Sequence, residues 1–247
     1  MVFIYNNNMN KLDRQDLKWA IKRLPKVLKD LMAEDEWHSK IFVGGGYLRS
    51  IVSGEDINDI DIFVPSRQIG ELLAYKLAKE KDDVYTTQNA FTIKGYATTM
   101  QIIHRWTFED AVTIAQSFDF TVCAAVIYFD PATKLWDSYV DERFYTDLAA
   151  KRLIYKNPER NEDAGGSMLR VLKYYRKGYR IPLDSLGDVI TRLVRGVKFD
   201  ELPETGTPEF EARFAKVITS LLVEVDPNID PEHLAHLPSE DSEDEEA

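Results

Sequence analysis

Asp59 and Asp61, in the segment NDIDIFV, are the residues whose types and spacing most clearly suggest chemistry. Residues two apart in a strand point to the same side, so both carboxylates share one face while Ile60 and Ile62 pack on the other. Like charges about 7 Å apart along a strand repel unless cations lie near them. Because Mg²⁺ binds carboxylate and phosphate oxygens together, we expect a catalytic metal site here, with a solvated strand end as the alternative.

A glycine turn precedes this strand. In IFVGGGYLRS, the apolar run 41–43 is broken by three glycines, and a short helix is predicted after them. Glycines let backbone amides approach a phosphate, and the start of a helix adds its positive end. We therefore expect this glycine turn to bind phosphate. Arg49 can add a guanidinium to a phosphate or to a nearby acid. A purely structural turn is the alternative.

The elements that must position these residues follow from local periodicity. Helical spacing is present at 11–32, where Pro25 interrupts it, and at 67–81 and 108–115. Besides the strand that carries the two acids, β-like segments are predicted at 83–87, 90–94, 99–103 and 118–129. The remaining helices are predicted at 143–152, 163–178, 184–195 and 208–224. The pattern predicts an α/β part (1–140), an all-helical part (141–225) and a disordered acidic tail (226–247).

The charge of the chain is unevenly distributed. The formal net charge is −11, but residues 239–247 alone carry six acids and no base. Residues 151–180 carry nine bases against three acids, which suggests a focused phosphate-binding face, with a solvated helix face as the alternative. Tyr174, Tyr175 and Tyr179 lie among these bases, and they either stack on nucleobases or pack a helix against the α/β part.

Composition narrows the class of protein. A single cysteine, Cys123, excludes an intrachain disulfide, and its apolar setting predicts a buried thiol in a strand. No stretch approaches the roughly 20 apolar residues of a membrane span, and the first residues do not resemble a secretory signal. We therefore expect a soluble, cytoplasmic protein with no membrane partner.

The segment FVGGGYLRS…NDIDIFV resembles the nucleotidyltransferase head of class II tRNA nucleotidyltransferases and bacterial poly(A) polymerases, in the polymerase-β-like superfamily. The pattern of that family is GGxVRD followed by DxD. Gly45, Gly46 and Arg49 match it, with Ser50 where the family has Asp.

Two later segments extend the resemblance over about 40–180. SFDFTVCAAVIYFD is similar to the family strand RRDFTINAMAYD, so that Asp119 matches while Ser117 and Phe118 stand where two arginines are usual. DLAAKRLIYKN…EDAGGSMLRVLKYYRKGY is similar to the stretch that leads into the neck helix, although Ser167 stands where the first neck arginine is expected.

The resemblance implies a role for each matched residue. In the family the DxD acids bind metal, the glycines hold the triphosphate, the aspartate of the RRD strand contacts the sugar, and the neck helix reads the base. The implied catalytic residues are Asp59, Asp61 and Asp119. The implied nucleotide-binding residues are Gly45, Gly46, Arg49, Asp163, Arg170 and Lys173. Asp119 could instead be a third metal ligand, because the 99–103 strand offers Gln101 and no acid.

The resemblance therefore implies an α+β fold, with a polymerase-β-like head (mixed sheet with helices) and a short all-helical neck. The implied activity is Mg²⁺-dependent transfer of a nucleoside monophosphate from a nucleoside triphosphate such as ATP to a hydroxyl, with an RNA 3′ end as one possible acceptor. An alternative is a catalytically degenerate regulatory module that binds nucleotide or RNA. It is favoured by Ser50, Ser117, Phe118 and Ser167, whereas the intact DxD argues against it. A protein that acts through its acidic tail is a third possibility.

Overall fold

The computed structural model describes residues 10–158 and 164–223. They form a mixed α+β fold, which confirms the predicted fold class. The strands are β1 (Phe42–Gly44), β2 (Asp59–Phe63), β3 (Val84–Thr86), β4 (Ala90–Ile93), β5 (Thr99–Ile103), β6 (Ala125–Asp130) and β7 (Leu135–Val140). The helices are α1 (Arg14–Arg23), α2 (Lys26–Ala33), α3 (Gly46–Ser53), α4 (Arg67–Leu77), α5 (Ala111–Ser117), α6 (Phe144–Ala149), α7 (Ala164–Arg176), α8 (Leu183–Arg195) and α9 (Pro208–Val223).

The sheet places β2 in its interior. The strand order is β3-β4-β5-β2-β1-β6-β7, with β2 and β5 parallel and the other neighbouring pairs antiparallel. Ile60 and Ile62 of β2 are 1% and 0% exposed. Because hydrogen bonds on both edges and core packing on one face constrain β2, side chains on its other face have well-defined positions.

The first helices support the start of α3. Pro25 separates α1 from α2, as the sequence predicts, because its ring is not accepted in a helix interior. Behind these helices, the buried Tyr47 of α3 donates a 2.6 Å hydrogen bond to the carbonyl oxygen of Ala20 in α1. This contact fixes α3 relative to the layer of helices that covers the core.

Two buried tyrosines pack the start of the helical part against the sheet-bearing part: Tyr174 of α7, and Tyr179 in the segment that follows α7. The ring of Tyr174 meets Phe120 edge-on, with the ring centres 6.1 Å apart. Of the two interpretations of these tyrosines, the structure therefore shows packing. Tyr175 is exposed, and the guanidinium of Arg180 lies 4.8 Å from the centre of its ring.

The predicted β segment at 118–129 is only partly a strand. Residues 121–123 form a short 3-10 helix, and β6 begins at Ala125. Thr121 explains the difference, because its hydroxyl donates a 2.7 Å hydrogen bond to the buried Asp147 and its backbone N–H donates to Ile154. Cys123 is buried as predicted, but it lies in this short helix and not in a strand.

Strand β7 was not predicted from the sequence, since its inward-facing positions carry mixed residue types. Asp163 and the predicted acidic tail at 226–247 lie outside the described residues, and the proposed boundaries of head and neck stay predictions. None of the helices in the described ranges has the length and apolarity needed to cross a bilayer.

Candidate active site

A cleft of about 370 Å³ opens on the sheet face opposite the core side of β2. It brings together predicted site residues that are far apart in sequence. Those that line it are Gly46, Arg49, Asp59, Asp61, Asp119, Arg170 and Lys173. Gly45 immediately precedes this set at the start of α3. The tertiary structure thus brings nearly all the predicted site residues together in one cleft.

The two acids of β2 lie as the alternation predicts. Asp59 and Asp61 are partly exposed in the cleft, while the isoleucines between and after them are buried in the core. Strand β5 runs parallel to β2, so Gln101 is the register partner of Asp61. A carboxylate and an amide therefore lie side by side on neighbouring strands.

The glycine turn lies directly beside Asp61. Antiparallel pairing of β1 and β2 sets Gly44 opposite Asp61. Gly45 has φ +72°, and a Cβ placed there would lie 3.4 Å from Oδ2 of Asp61 and 3.0 Å from the ring of Phe118. The turn therefore requires glycine at this position, and its backbone lies close to the carboxylate of Asp61.

Helix α3 begins in this turn without a side-chain cap. The first N–H groups of a helix have no partner within the helix, and the helix dipole places partial positive charge at that end. Since Gly46 is the first residue of α3 and lines the cleft, the start of the helix is available to a phosphate there.

Asp119 and Arg170 connect the sheet-bearing part to α7. Nη1 of Arg170 donates a 2.7 Å hydrogen bond to Oδ2 of Asp119, whose residue is 3% exposed. Lys173 lies one helical turn further along α7 and is exposed where it lines the cleft. The carboxylate of Asp119 is therefore already engaged by a guanidinium.

Arg49 points into the protein and contacts an acid. It is 4% exposed, its Nε lies 3.4 Å from Oε2 of Glu55, and its guanidinium lies 4.8 Å from the centre of the Tyr174 ring. The nearby acid expected for Arg49 is therefore Glu55, and a contact of Arg49 with a phosphate stays a prediction. Glu55 follows the glycine that ends α3, and no local sequence pattern indicates that it is the partner of Arg49.

Glu55 and Cys123 have shifted pKa values around this arginine. Burial raises the pKa of Glu55, but Arg49, the hydroxyl of Tyr179 and Lys177 together outweigh it and leave the pKa below its usual value. Burial raises the pKa of the Cys123 thiol, although Arg49 opposes it. Glu55 is therefore the anionic partner of Arg49, while Cys123 stays a protonated thiol.

The donor chemistry of the cleft fits a hard divalent cation. Carboxylate and amide oxygens are ligands that Mg²⁺ accepts, and Asp59, Asp61 and Gln101 supply them on adjacent strands. Within residues 10–158 and 164–223, no group of three or more His, Cys, Asp or Glu side chains is placed to hold a metal ion. An ion at the acid pair would therefore need oxygens from a substrate or from water.

The wall formed by β3, β4 and the segment after β5 also lines the cleft. Its members include Tyr85, Thr92, Lys94 and Trp106. A functional role for Tyr85, Thr92 and Lys94 is not predictable from the sequence, because single polar or aromatic residues in or beside short strands form no recognisable motif. Only the strand pairing brings them to the side of the acids.

A family model described as "Gabija anti-defense 2 family protein" matches residues 20–151, which is more than half of the 247 residues. The protein "Gabija anti-defense 2" of Bacillus phage SPbetaL7 is 28% identical over 164 residues, which are 64% of this chain and 38% of the phage protein. The chain thus spans less than two fifths of the length of that relative.

Solved structures of CCA-adding enzymes share the fold. The complex with ATP matches at a TM-score of 0.54 and 17% identity, over 88% of this chain and 52% of the enzyme. The complex with CTP matches at 0.53 and 16%, over 92% and 53%. The Thermotoga maritima enzyme complexed with tRNA matches at 0.53 and 16%, over 86% and 56%. At these identities the likeness shows a nucleotidyltransferase-like fold, and the match covers about half of the length of each of those enzymes.

Proposed function

The chain belongs to the Gabija anti-defense 2 family, and we propose that it is an Mg²⁺-dependent nucleotidyltransferase. It moves a nucleoside monophosphate from a nucleoside triphosphate to a hydroxyl acceptor, with an RNA 3′ end as the first acceptor to test. The observation that carries this proposal is the acid pair. Asp59 and Asp61 share one face of an interior strand, beside the glycine turn at the start of α3.

Asp59 and Asp61 would hold the metal ion, with Gln101 beside them. When bound, Mg²⁺ would neutralise charge on the triphosphate and lower the pKa of the acceptor hydroxyl. The chain itself supplies two carboxylates within a partly enclosed cleft, where electrostatic interactions are stronger than in bulk water. Repulsion between these carboxylates gives the site its affinity for a cation.

The triphosphate would lie against the glycine turn. The uncapped first N–H groups of α3 and the dipole of the helix favour an anion at Gly46, and Lys173 of α7 adds positive charge to the same cleft. In the transfer, the acceptor oxygen bonds to the α-phosphorus and the bond from that phosphorus to the bridging oxygen breaks. Pyrophosphate leaves with the electron pair, and the hydroxyl proton passes to water.

Asp119 would contact the nucleotide sugar and position Arg170, and it would not be a metal ligand. Its ion pair with Arg170 compensates its negative charge, which weakens its attraction for a metal ion. Arg170 is the more exposed partner, with 26% of its side chain accessible. In this arrangement Asp119 would fix the orientation of the Arg170 guanidinium at the edge of the cleft.

The names of the family and of the phage relative describe an action against a defence called Gabija. We propose that nucleotidyl transfer is the chemistry with which this chain contributes to such an action. Expression of the chain should then restore phage plating on cells that carry the Gabija defence, and a variant without the acid pair should not. Equal phage plating on cells that express the wild-type chain and on cells that express the variant would show that the anti-defence role does not need catalysis.

A nucleotide-binding regulatory module is the second candidate function, and the arginines favour it. Arg49 contacts Glu55 and Tyr174, and Arg170 contacts Asp119, so both are engaged by the protein itself. Such a module would bind nucleoside triphosphate through the same cleft without releasing pyrophosphate.

One experiment distinguishes the two functions. The protein is incubated with Mg²⁺, labelled nucleoside triphosphates and total RNA, and labelled products and pyrophosphate are measured. Asp59→Ala and Asp61→Ala should each reduce transfer at least about ten-fold, the loss expected when a metal site is damaged. Asp56→Ala is the matched control, because Asp56 is exposed in the same segment and does not line the cleft.

The folded state of each variant is checked by circular dichroism. If the wild-type protein binds nucleotide but releases no pyrophosphate with any RNA, the regulatory module replaces the enzyme. Transfer by either acid variant above about a tenth of wild type would contradict the assignment of the acid pair.

A further inference from the structure

One cross-strand row connects the acid pair to the edge of the sheet. Asp61 is paired with Gln101 of β5, Gln101 with Thr92 of β4, and Thr92 with Tyr85 of β3. Directly paired residues in neighbouring strands point to the same face, and all four of these residues line the cleft. The floor of the cleft is therefore a continuous polar row that ends in an aromatic ring.

The groups proposed to bind the nucleoside triphosphate all lie on the other side of this acid pair. The glycine turn follows β1, Asp119 precedes β6, and Arg170 and Lys173 belong to α7. Strand β1 flanks β2 on one edge, whereas β5, β4 and β3 extend from the other edge. A nucleoside triphosphate held by the turn and α7 would thus leave the β5-β4-β3 side of the cleft for the acceptor.

Tyr85, Thr92 and Lys94 form the far part of this side, which we call the hairpin shelf. Tyr85 is 63% exposed, and Nζ of Lys94 lies 5.9 Å from the centre of its ring. An exposed aromatic ring beside a flexible cation is the combination that binds single-stranded nucleic acid, because the ring stacks on any base and the cation meets the backbone phosphate.

The distance along the row restricts the acceptor. Three strand spacings separate Tyr85 from Asp61, which amounts to about 14 Å. A serine or tyrosine side chain with its hydroxyl at the acids would end well before the shelf. A single-stranded nucleic acid with its 3′ hydroxyl at the acids continues past the terminal nucleoside and can bring the next base to Tyr85.

We propose that the hairpin shelf is an acceptor subsite that binds a single-stranded polynucleotide 3′ end, with a base stacked on Tyr85 and a phosphate near Lys94. The proposal rests on the proposed function, because it names the acceptor of that reaction. The 3′ oxygen would bond to the α-phosphorus as pyrophosphate departs, which lengthens the strand by one nucleotide. RNA and DNA share the chemistry that the shelf recognises.

The test measures binding apart from catalysis. Dissociation constants of 5′-labelled oligoadenylate, as RNA and as DNA, are measured by fluorescence anisotropy, and ATP affinity in Mg²⁺ is measured by calorimetry. Tyr85→Ala should weaken oligonucleotide binding about ten-fold, as expected for the loss of one stacked base, and leave ATP affinity unchanged. Tyr85→Phe keeps the ring and should bind almost as wild type does.

Matched controls come from elsewhere on the surface. Tyr75 of α4 is 59% exposed and lies outside the cleft lining, so Tyr75→Ala should not change binding. Lys94→Ala should reduce the slope of log affinity against log salt by about one, the contribution of one phosphate contact. Lys18→Ala, at an exposed lysine of α1, should not.

Several results would overturn the shelf. One is equal oligonucleotide affinity for wild type and Tyr85→Ala, and another is a loss of oligonucleotide affinity with Tyr75→Ala as large as that with Tyr85→Ala. A third is a loss of ATP affinity in Tyr85→Ala, which would place Tyr85 in the site of the nucleoside triphosphate. Tighter binding of RNA than of DNA would identify RNA as the acceptor. Equal binding would mean that the shelf accepts a 3′ end of either nucleic acid. Failure of the wild-type protein to transfer nucleotide would contradict the proposed function and leave these binding results interpretable.

Discussion

Replacement of Gly45 by alanine tests whether this position requires glycine, both for its backbone conformation and for the space beside the acid pair. Gly45 has φ +72° and ψ −135°, a region open almost only to glycine, and a residue with a Cβ held there costs about 1–3 kcal/mol. The new Cβ would also lie 3.0 Å from the ring of Phe118. That ring packs edge-on against Phe63 with centres 5.6 Å apart, so it has little freedom to move.

We therefore expect Gly45→Ala to lower the unfolding free energy by about 3 kcal/mol, near the upper end of the conformational cost. For a protein of this size the melting temperature should fall by about 10 °C. The same Cβ would lie 3.4 Å from Oδ2 of Asp61, so the space between the turn and the acid would shrink. Affinity for ATP in the presence of Mg²⁺ should fall as well.

Gly54→Ala is the matched control, because Gly54 has φ +69° but no atom lies within 4 Å of where its Cβ would be. This change should cost only about 1 kcal/mol, the conformational term by itself, and leave ATP affinity intact. Scanning calorimetry and nucleotide titration measure both quantities. A Gly45→Ala protein that is as stable as Gly54→Ala, or that binds ATP with wild-type affinity, would contradict this role of the turn.

Three further outcomes are expected. Asp119→Asn removes the charge partner of Arg170, so it should raise the KM for nucleoside triphosphate. The Mg²⁺ concentration at half-maximal rate should not change, and an increase would instead make Asp119 a metal ligand. The Cys123 thiol, with its pKa raised by burial, should react with Ellman's reagent at pH 8 only on unfolding, and rapid reaction of the native protein would contradict this. Glu55→Gln should destabilise the fold by about 3 kcal/mol because Arg49 stays buried without its acid. Burial raises the pKa of Glu55 but Arg49 and its other partners lower it overall. The stability difference between this variant and wild type should therefore be full above the ordinary pKa of 4.5 and shrink as pH falls through the lowered value, and a pH-independent difference would refute it.

The features that were predictable from the sequence are those set by neighbouring residues. The alternation of Asp59 and Asp61 with isoleucines places both acids on one face of any strand, whichever strands lie beside it. Pro25 separates two helices because of its own ring, and the glycines after β1 mark the turn because other residues do not adopt its backbone conformation. These constraints act within a few residues, so they are visible without the fold.

The tertiary structure decided the partners of these residues. Parallel pairing of β2 with β5 sets Gln101 beside Asp61, and Arg170 reaches Asp119 across 51 positions of the chain. Arg49 pairs with Glu55 under the ring of Tyr174, a contact that the motif around Arg49 does not indicate. Contacts of this kind depend on which strands and helices become neighbours when the whole core packs. Sequence periodicity selects the face of each element, and only the assembled sheet and helices determine what that face meets.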